Sequence, residues 1–194
     1  VPHGLGKAPE LFISKDASGT TSWMCYNKKS GNAKEFYLNS SAAPGSSIAW
    51  NSTTPTSVNM ILGSADNVNG SSDDVIGYFF TSIKGYSKFG HYIGNGNVDG
   101  PFIYTGFRPA FMIRKIIVGG SDSWYLTDSK RLGYNPNNAY LFANATQTES
   151  DLTRFDFLSN GIKIRTTDGG DNGSGNTYMY IAFAEFPFVS SNSK

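Results

Sequence analysis

The chain repeats one order of residues along its length, and any fold must accommodate both copies. Pro9-Glu10-Leu11-Phe12-Ile13 in the first half is answered by Pro109-Ala110-Phe111-Met112-Ile113 in the second. Ser22-Trp23 is answered by Ser123-Trp124, and Asn69-Gly70-Ser71 by Asn172-Gly173-Ser174. The offset grows from 100 at Pro9/Pro109 to 101 at Trp23/Trp124 and 103 at Asn69/Asn172. Such slow drift places short insertions in loops, where they are tolerated. A catalytic centre needs unlike residues converging once, so a doubled module points first to a scaffold or a binding surface.

Within each copy the apolar runs are short and bounded by Gly, Ser, Asn and Asp, which is the pattern of antiparallel strands. Leu11–Lys15, Trp23–Tyr26, Lys34–Asn39, Val58–Leu62 and Val75–Phe80 carry it in the first half. Ala110–Ile113, Trp124–Leu126, Ala139–Phe142, Phe155–Leu158, Ile162–Arg165 and Tyr178–Ala184 carry it in the second. Asn160-Gly161 marks a hairpin turn. The unbroken apolar runs Val75–Phe80 and Tyr178–Ala184 predict strands buried on both faces, at the centre of the fold. The window most compatible with a helix is Glu149–Phe157. These features predict an all-β fold of two internally repeated antiparallel β-sandwich-like units, residues 1–90 and 91–194, packed together about a pseudo-twofold axis. The Gly- and Asn-rich stretch Gly90–Gly100 reads as an ordered crossover between them.

Only 16% of residues are charged, against a usual ~25%. The net charge is +1 and no basic run exceeds a pair such as Lys28-Lys29, so nucleic acid is not the expected partner. No apolar run approaches the ~20 residues of a membrane helix, and membrane insertion is not expected. The opening Val1-Pro2-His3 lacks the basic and apolar regions of a signal peptide and suggests a fragment or a processed form. The single cysteine, Cys25, has no partner for an internal disulfide and sits between Met24 and Tyr26 as a small buried apolar residue.

Candidate chemistry is sparse. His3 and His91 are the only histidines, and neither has a metal-ligand partner at short spacing. The loops Asp66–Asp74 and Asp168–Asn176 are rich in oxygen ligands that could suit calcium. They lack a complete helix-loop-helix calcium pattern, and turns tolerant of positive φ are the simpler reading. No Gly-x-Ser-x-Gly element precedes a downstream His, and no carboxylate pair stands out among Asp99, Asp128, Asp156 and Glu185. No catalytic residue, cofactor or metal is expected. Aromatic rings flanked by amides suit sugar binding, because a sugar's apolar face stacks on a ring while Asn and Asp meet its hydroxyls. Trp50-Asn51 and Tyr134-Asn135, the latter within Leu132–Asn138, sit in polar loops without core periodicity and are the candidate ligand-binding residues. Trp23 and Trp124 are expected in the core or between the repeats. The sequons at Asn39, Asn51, Asn69, Asn144 and Asn172 fit the Asn/Ser/Thr-rich composition by chance.

The stretch Gly85-Tyr86-Ser87-Lys88-Phe89-Gly90-His91-Tyr92-Ile93-Gly94-Asn95-Gly96, continuing from Asp99 to Phe111, resembles a domain of uncharacterised function in tail-fibre and related structural proteins of tailed bacteriophages. The opening His3-Gly4-Leu5-Gly6 with Pro9 and the closing Ala182–Phe188 are similar too, so the resemblance covers essentially the whole chain. Lys7-Ala8-Pro9 and Ser82-Ile83 depart slightly from it. The resemblance implies a virion location and a structural or adhesive role, and it brings no catalytic residues. The expected function is therefore a non-enzymatic virion protein, a tail-fibre or spike domain attaching to a host-surface glycan. Its expected partners are other virion proteins and copies of itself, a homotrimer in the first instance. Alternatives are a capsid-decoration or tail-shaft module without a ligand, and a polysaccharide depolymerase.

Overall fold

The computed structural model describes residues 1–131 and 134–188. It divides into two compact units, Val1–Thr81 and Ser82–Lys194. The break falls before the Gly90–Gly100 stretch, whose first four residues, Gly90–Ile93, lie in a strand. Gly90 is a packing glycine: a Cβ there would lie 2.6 Å from the Tyr180 hydroxyl and 2.7 Å from its ring. A glycine inside a strand often marks such a close approach, and in the sequence alone it mimics a loop.

Unit 1 is one antiparallel sheet. Its strands are β1 (Leu11–Asp16), β2 (Met24–Asn27), β3 (Lys34–Tyr37), β4 (Gly45–Ser46) and, after the single turn α1 (Asp66–Asn69), β5 (Val75–Phe80). The order is β4-β3-β2-β1-β5. Alternation along β1 sends Phe12 to the face where Met24, Tyr26, Trp50, Met60 and Val68 form a core. That face is covered by the loop between β4 and α1, so unit 1 packs a sheet against a loop layer; with the eight-stranded sheet of unit 2, the chain has the all-β, antiparallel, sandwich-like character expected. β5 is an edge strand, and Ile76 and Tyr78 are 49% and 43% exposed. The expectation of a central strand at Val75–Phe80 is thereby corrected.

Unit 2 has a longer sheet. It comprises β6 (Ser87–Ile93), β7 (Phe102–Tyr104), β8 (Pro109–Val118), β9 (Tyr125–Asp128), β10 (Asn137–Phe142), β11 (Ser150–Leu158), β12 (Gly161–Ile164), the turn α2 (Gly169–Asn172) and β13 (Thr177–Ala184). The order is β6-β13-β8-β9-β10-β11-β12-β7. β10 pairs with β9 through Leu141 and Phe142, and with β11 through Asn137, Ala139 and Tyr140, with a register shift between Asn137 and Ala139. A shift of this kind bends a strand, and here it carries the sheet over into a second layer. The two layers close on one core, with Met112, Tyr178 and Tyr180 from one and Phe155, Phe157 and Ile162 from the other. β13 is buried from Thr177 to Ala182, as its unbroken apolar run predicts. The helix-compatible window is the strand β11, whose Phe155 and Phe157 alternate into this core.

The two units share a register. In unit 1, Phe12 lies opposite Tyr26 and Phe79, and Ser14 opposite Met24 and Gly77. In unit 2, Met112 lies opposite Thr127 and Ala182, and Arg114 opposite Tyr125 and Tyr180. The offsets are 100 for the first strand, 101 for the second and 103 for the last, the values found at the repeated motifs. One clasp also recurs. The Trp23 N–H donates to Asn39 Oδ1 at 3.1 Å while Asn39 Nδ2 donates to Ser22 Oγ at 3.3 Å. The Trp124 N–H donates to Asn144 Oδ1 at 2.7 Å while Asn144 Nδ2 donates to Ser123 Oγ at 3.2 Å. Trp124 is fully buried as expected, but Trp23 is 36% exposed and lies against Tyr78. The clasp holds the Trp backbone in both units, and the ring is free to differ.

Unit 2 also buries charge. Asp171, the third residue of α2, is fully buried and accepts hydrogen bonds from Arg114 of β8 and Arg154 of β11. The Arg114 guanidinium lies 4.5 Å from the Tyr125 ring centre and 4.6 Å from that of Phe155, and Arg154 lies 4.4 Å from that of Tyr140. Burial pulls the Arg114 guanidinium down to about 10, which leaves it charged at neutral pH. Removing one partner of a buried ion pair leaves an uncompensated charge. Asp171→Asn is expected to destabilise unit 2 by about 3–5 kcal/mol, and Asn144→Ala by about 1 kcal/mol, as measured by denaturant unfolding.

Alkaline pH gives a second expectation. Burial pushes the Cys25 thiol up to about 12 and Tyr37 up to about 12, and it raises Tyr92 and Tyr125. The folded chain keeps these protons while the unfolded chain releases them from about pH 8.5 for the thiol and about pH 10 for the phenols. Their stabilisation is complete below those values and is lost as pH rises. Lys115, pushed down to about 8 by burial, acts in the opposite sense, because here the unfolded chain holds the extra proton. The denaturation midpoint should fall above about pH 10, and Lys115→Met should steepen the fall between pH 8 and that point. A native thiol unreactive to a disulfide reagent at pH 8 would accord with the same burial.

Candidate functional site

Trp50 is not a ligand platform. Its ring is fully buried, lies edge-on to Phe12 at 5.7 Å and Tyr26 at 5.8 Å, and its Nε1–H donates to the Lys34 carbonyl at 2.7 Å. It lacks core periodicity because it packs from a loop onto the face of the sheet, where no alternation marks it. Its role is to anchor the turn that follows. Within that turn Asn51 and Ser52 take left-handed conformations, with φ of 47° and 45°. Non-glycine residues rarely do so unless the surrounding contacts hold them there. The contacts are backbone bonds from Asn51 N to Ile48 O at 3.2 Å, Thr53 N to Trp50 O at 2.9 Å and Gly63 N to Ala49 O at 2.6 Å.

The turn forms one wall of an open groove of about 580 Å³, lined by Ile48, Asn51, Ser52, Leu62, Ser64 and Asn69, with Gly63 between two of them. A Cβ at Gly63 would lie 1.8 Å from the Ile48 carbonyl oxygen, so the two segments meet backbone to backbone. Asn69, at the end of α1, donates from Nδ2 to the Gly63 carbonyl at 3.0 Å. The lining holds hydroxyls, amides and two aliphatic side chains, and none of these is ionisable. It can exchange hydrogen bonds with a neutral, hydroxyl-rich ligand, and it contains no group for proton transfer. Asn51 was legible as a candidate from its polar loop. Ser64 and Asn69 were not, because they reach the groove through a chain reversal that leaves no local pattern.

The remaining candidates lie in unit 2. Tyr134 is 71% exposed, as a ring meant for contact must be. Asn135 spends its side chain on the fold: Nδ2 donates to the Phe157 carbonyl at 2.9 Å, and Oδ1 accepts from the Phe157 N–H at 2.9 Å. Leu132 and Gly133 of the same loop lie outside the described residues. The two Asp/Asn/Gly loops hold α1 and α2. The carboxylates of Asp168 and Asp171 are taken up by Arg154 and by both arginines respectively. Burial opposes the Asp168 charge, but the Arg154 hydrogen bond and charge hold its carboxyl below the usual value. Asn172 is fully buried, with Nδ2 donating to Asn95 Oδ1, Asn97 O and Thr166 O at 2.7–3.0 Å. His91 lies within β6. Among the described residues no group of three or more His, Cys, Asp or Glu side chains could hold a metal ion.

Gly63→Ala is expected to cost about 1–3 kcal/mol in stability and to open the groove wall. Gly45→Ala, which adds a Cβ with nothing within 4 Å, should be nearly neutral. Thermal denaturation of both variants distinguishes the two positions.

No match is found among curated proteins or among solved structures. A family described as a domain of unknown function, DUF7483, matches residues 1–187. That match spans both units, the clasps and the groove, and the chain belongs to the DUF7483 family.

Proposed function

We propose that this chain is a non-catalytic structural protein of a bacteriophage virion, a tail-fibre or spike domain that attaches to host-surface glycans through the Asn51 groove. The groove is the observation that carries the glycan part. Its hydroxyl and amide lining, free of charge and backed by Ile48 and Leu62, matches a neutral sugar in both hydrogen bonding and apolar contact. The virion part rests on the resemblance carried by Gly85–Phe111. That stretch forms β6, β7 and the start of β8, and β6 and β7 are the two edges of the unit 2 sheet. Ile93, Phe102 and Tyr104 on these edge strands are about half exposed or more. Apolar side chains on edge strands suit a protein that meets neighbours, and we favour a homotrimer. The shared registers support descent of both units from one ancestral set of strands. Weak sites on linked copies gain avidity by about 10²–10⁴, so single-site affinity need not be high.

The assembled protein is expected to sediment as a trimer and to bind host-surface polysaccharide on a glycan array. Ser64→Trp, which fills the groove, should reduce that binding by at least about tenfold while leaving the oligomer intact. A trimer that binds no glycan would favour a purely structural module. New reducing ends after incubation with the polysaccharide would favour a depolymerase.

A further inference from the structure

Next to the groove, and sharing Ile48 with it, is a second pocket of about 290 Å³. Its wall carries Glu35 and Tyr37 of β3, Ser46 of β4, Ser47 and, from α1, Asn67. The Tyr37 hydroxyl donates to Glu35 Oε1 at 2.5 Å, and the Ser47 hydroxyl donates to Glu35 Oε2. Ser47 is itself fixed, because its Oγ accepts from the Ala49 N–H at 2.9 Å and its N–H donates to the Ala33 carbonyl at 3.0 Å. The phenol of Tyr37 is held neutral by burial and by the neighbouring carboxylate, so it remains a donor. Asn67 donates one N–H of Nδ2 to the Ser22 carbonyl at 3.3 Å, which orients the side chain, and its side-chain oxygen is an acceptor.

Two features of this wall are unusual together. Glu35 is oriented by two hydroxyls, yet among the described residues it forms no ion pair with Lys, Arg or His. The Glu35 carboxylate and the Asn67 side-chain oxygen are the acceptors this wall offers. A carboxylate presented in this way calls for a donor-rich cation, and a protonated primary amine supplies a positive charge and three N–H donors. The neutral groove beside it calls for hydroxyls. We infer that the pocket at Glu35 selects an amino sugar, with the protonated amine at Glu35 and the sugar hydroxyls along the Asn51 groove. This inference rests on the glycan reading of the groove and assigns its ligand class.

The test uses oligomers of glucosamine and of N-acetylglucosamine of equal length, with trilysine as an amine lacking a sugar, each titrated into the full chain and followed by amide NMR. The glucosamine oligomer is expected to bind about tenfold more tightly than its acetylated counterpart and to shift the amides of Tyr37, Ser47 and Asn51. Glu35→Gln should abolish that preference. In the wild-type chain, raising the ionic strength should shrink it as well, which tests the charge without altering the fold. Equal binding of the two oligomers overturns the amine assignment and leaves the glycan reading standing. Binding by neither overturns both. Trilysine binding at the same residues as tightly as glucosamine shows a peptide-amine site and overturns the sugar assignment. A preference that survives both Glu35→Gln and high salt overturns the role of Glu35.

Discussion

The buried carboxylate of Asp171 ties together the two layers of unit 2. One of its arginines stands on β8 and the other on β11, and these strands belong to opposite layers. Burying three charged groups is costly, and the cost is offset only when each finds a partner and good geometry. The surrounding rings assist. Arg114 is sandwiched between Tyr125 and Phe155, and Arg154 faces Tyr140 and donates to its hydroxyl at 3.0 Å. The turn carrying Asp171 is fixed in turn by tyrosines, since the Tyr92 hydroxyl donates to the Asp171 carbonyl at 2.8 Å and Tyr178 to the Gly169 carbonyl at 2.5 Å. Slippage of one layer against the other would strand a charge in a dry interior.

Unit 1 meets the same geometric need without charge. The third residue of its turn is Val68, and the register counterpart of Arg114 is Ser14. The inner face of its sheet is covered by a loop, with Trp50 lying over Phe12 and Tyr26, instead of by β11 and β12. A loop layer has an irregular outer surface, and the groove arises there. Trp50 anchors the Asn51-Ser52 turn, Gly63 lets the opposing segment approach, and Asn69 ties α1 to that segment. The neutral groove and the carboxylate pocket at Glu35 are therefore both products of replacing a second sheet with a loop.

Much of this architecture could be read in advance, for a physical reason. Alternation and turn chemistry are local, so strands such as Leu11–Asp16 and Thr177–Ala184 declare themselves, and so does the small apolar Cys25. The offsets at Pro109, Trp124 and Asn172 even carry the pairing register. The misreadings share one cause. Val75–Phe80 looks like a central strand, but its exposure depends on whether another strand pairs beyond it. Glu149–Phe157 reads as the window most compatible with a helix, while its pairing with β10 and β12 makes it a strand. Gly90 reads as part of a crossover between the halves because the ring of Tyr180, far along the chain, is what requires a glycine there. Trp50 looked exposed because loop packing has no period.

By itself, then, the sequence determined the β character, the duplication of its pattern and which residues share a face, since these follow from backbone preference and spacing over a few residues. Tertiary structure alone decided which faces are covered, that Asp171 is sealed between two arginines, and that Ile48, Asn51, Ser64 and Asn69 share one groove. Burial and charge pairing depend on segments brought together across the chain, and no short-range pattern encodes which segment will arrive.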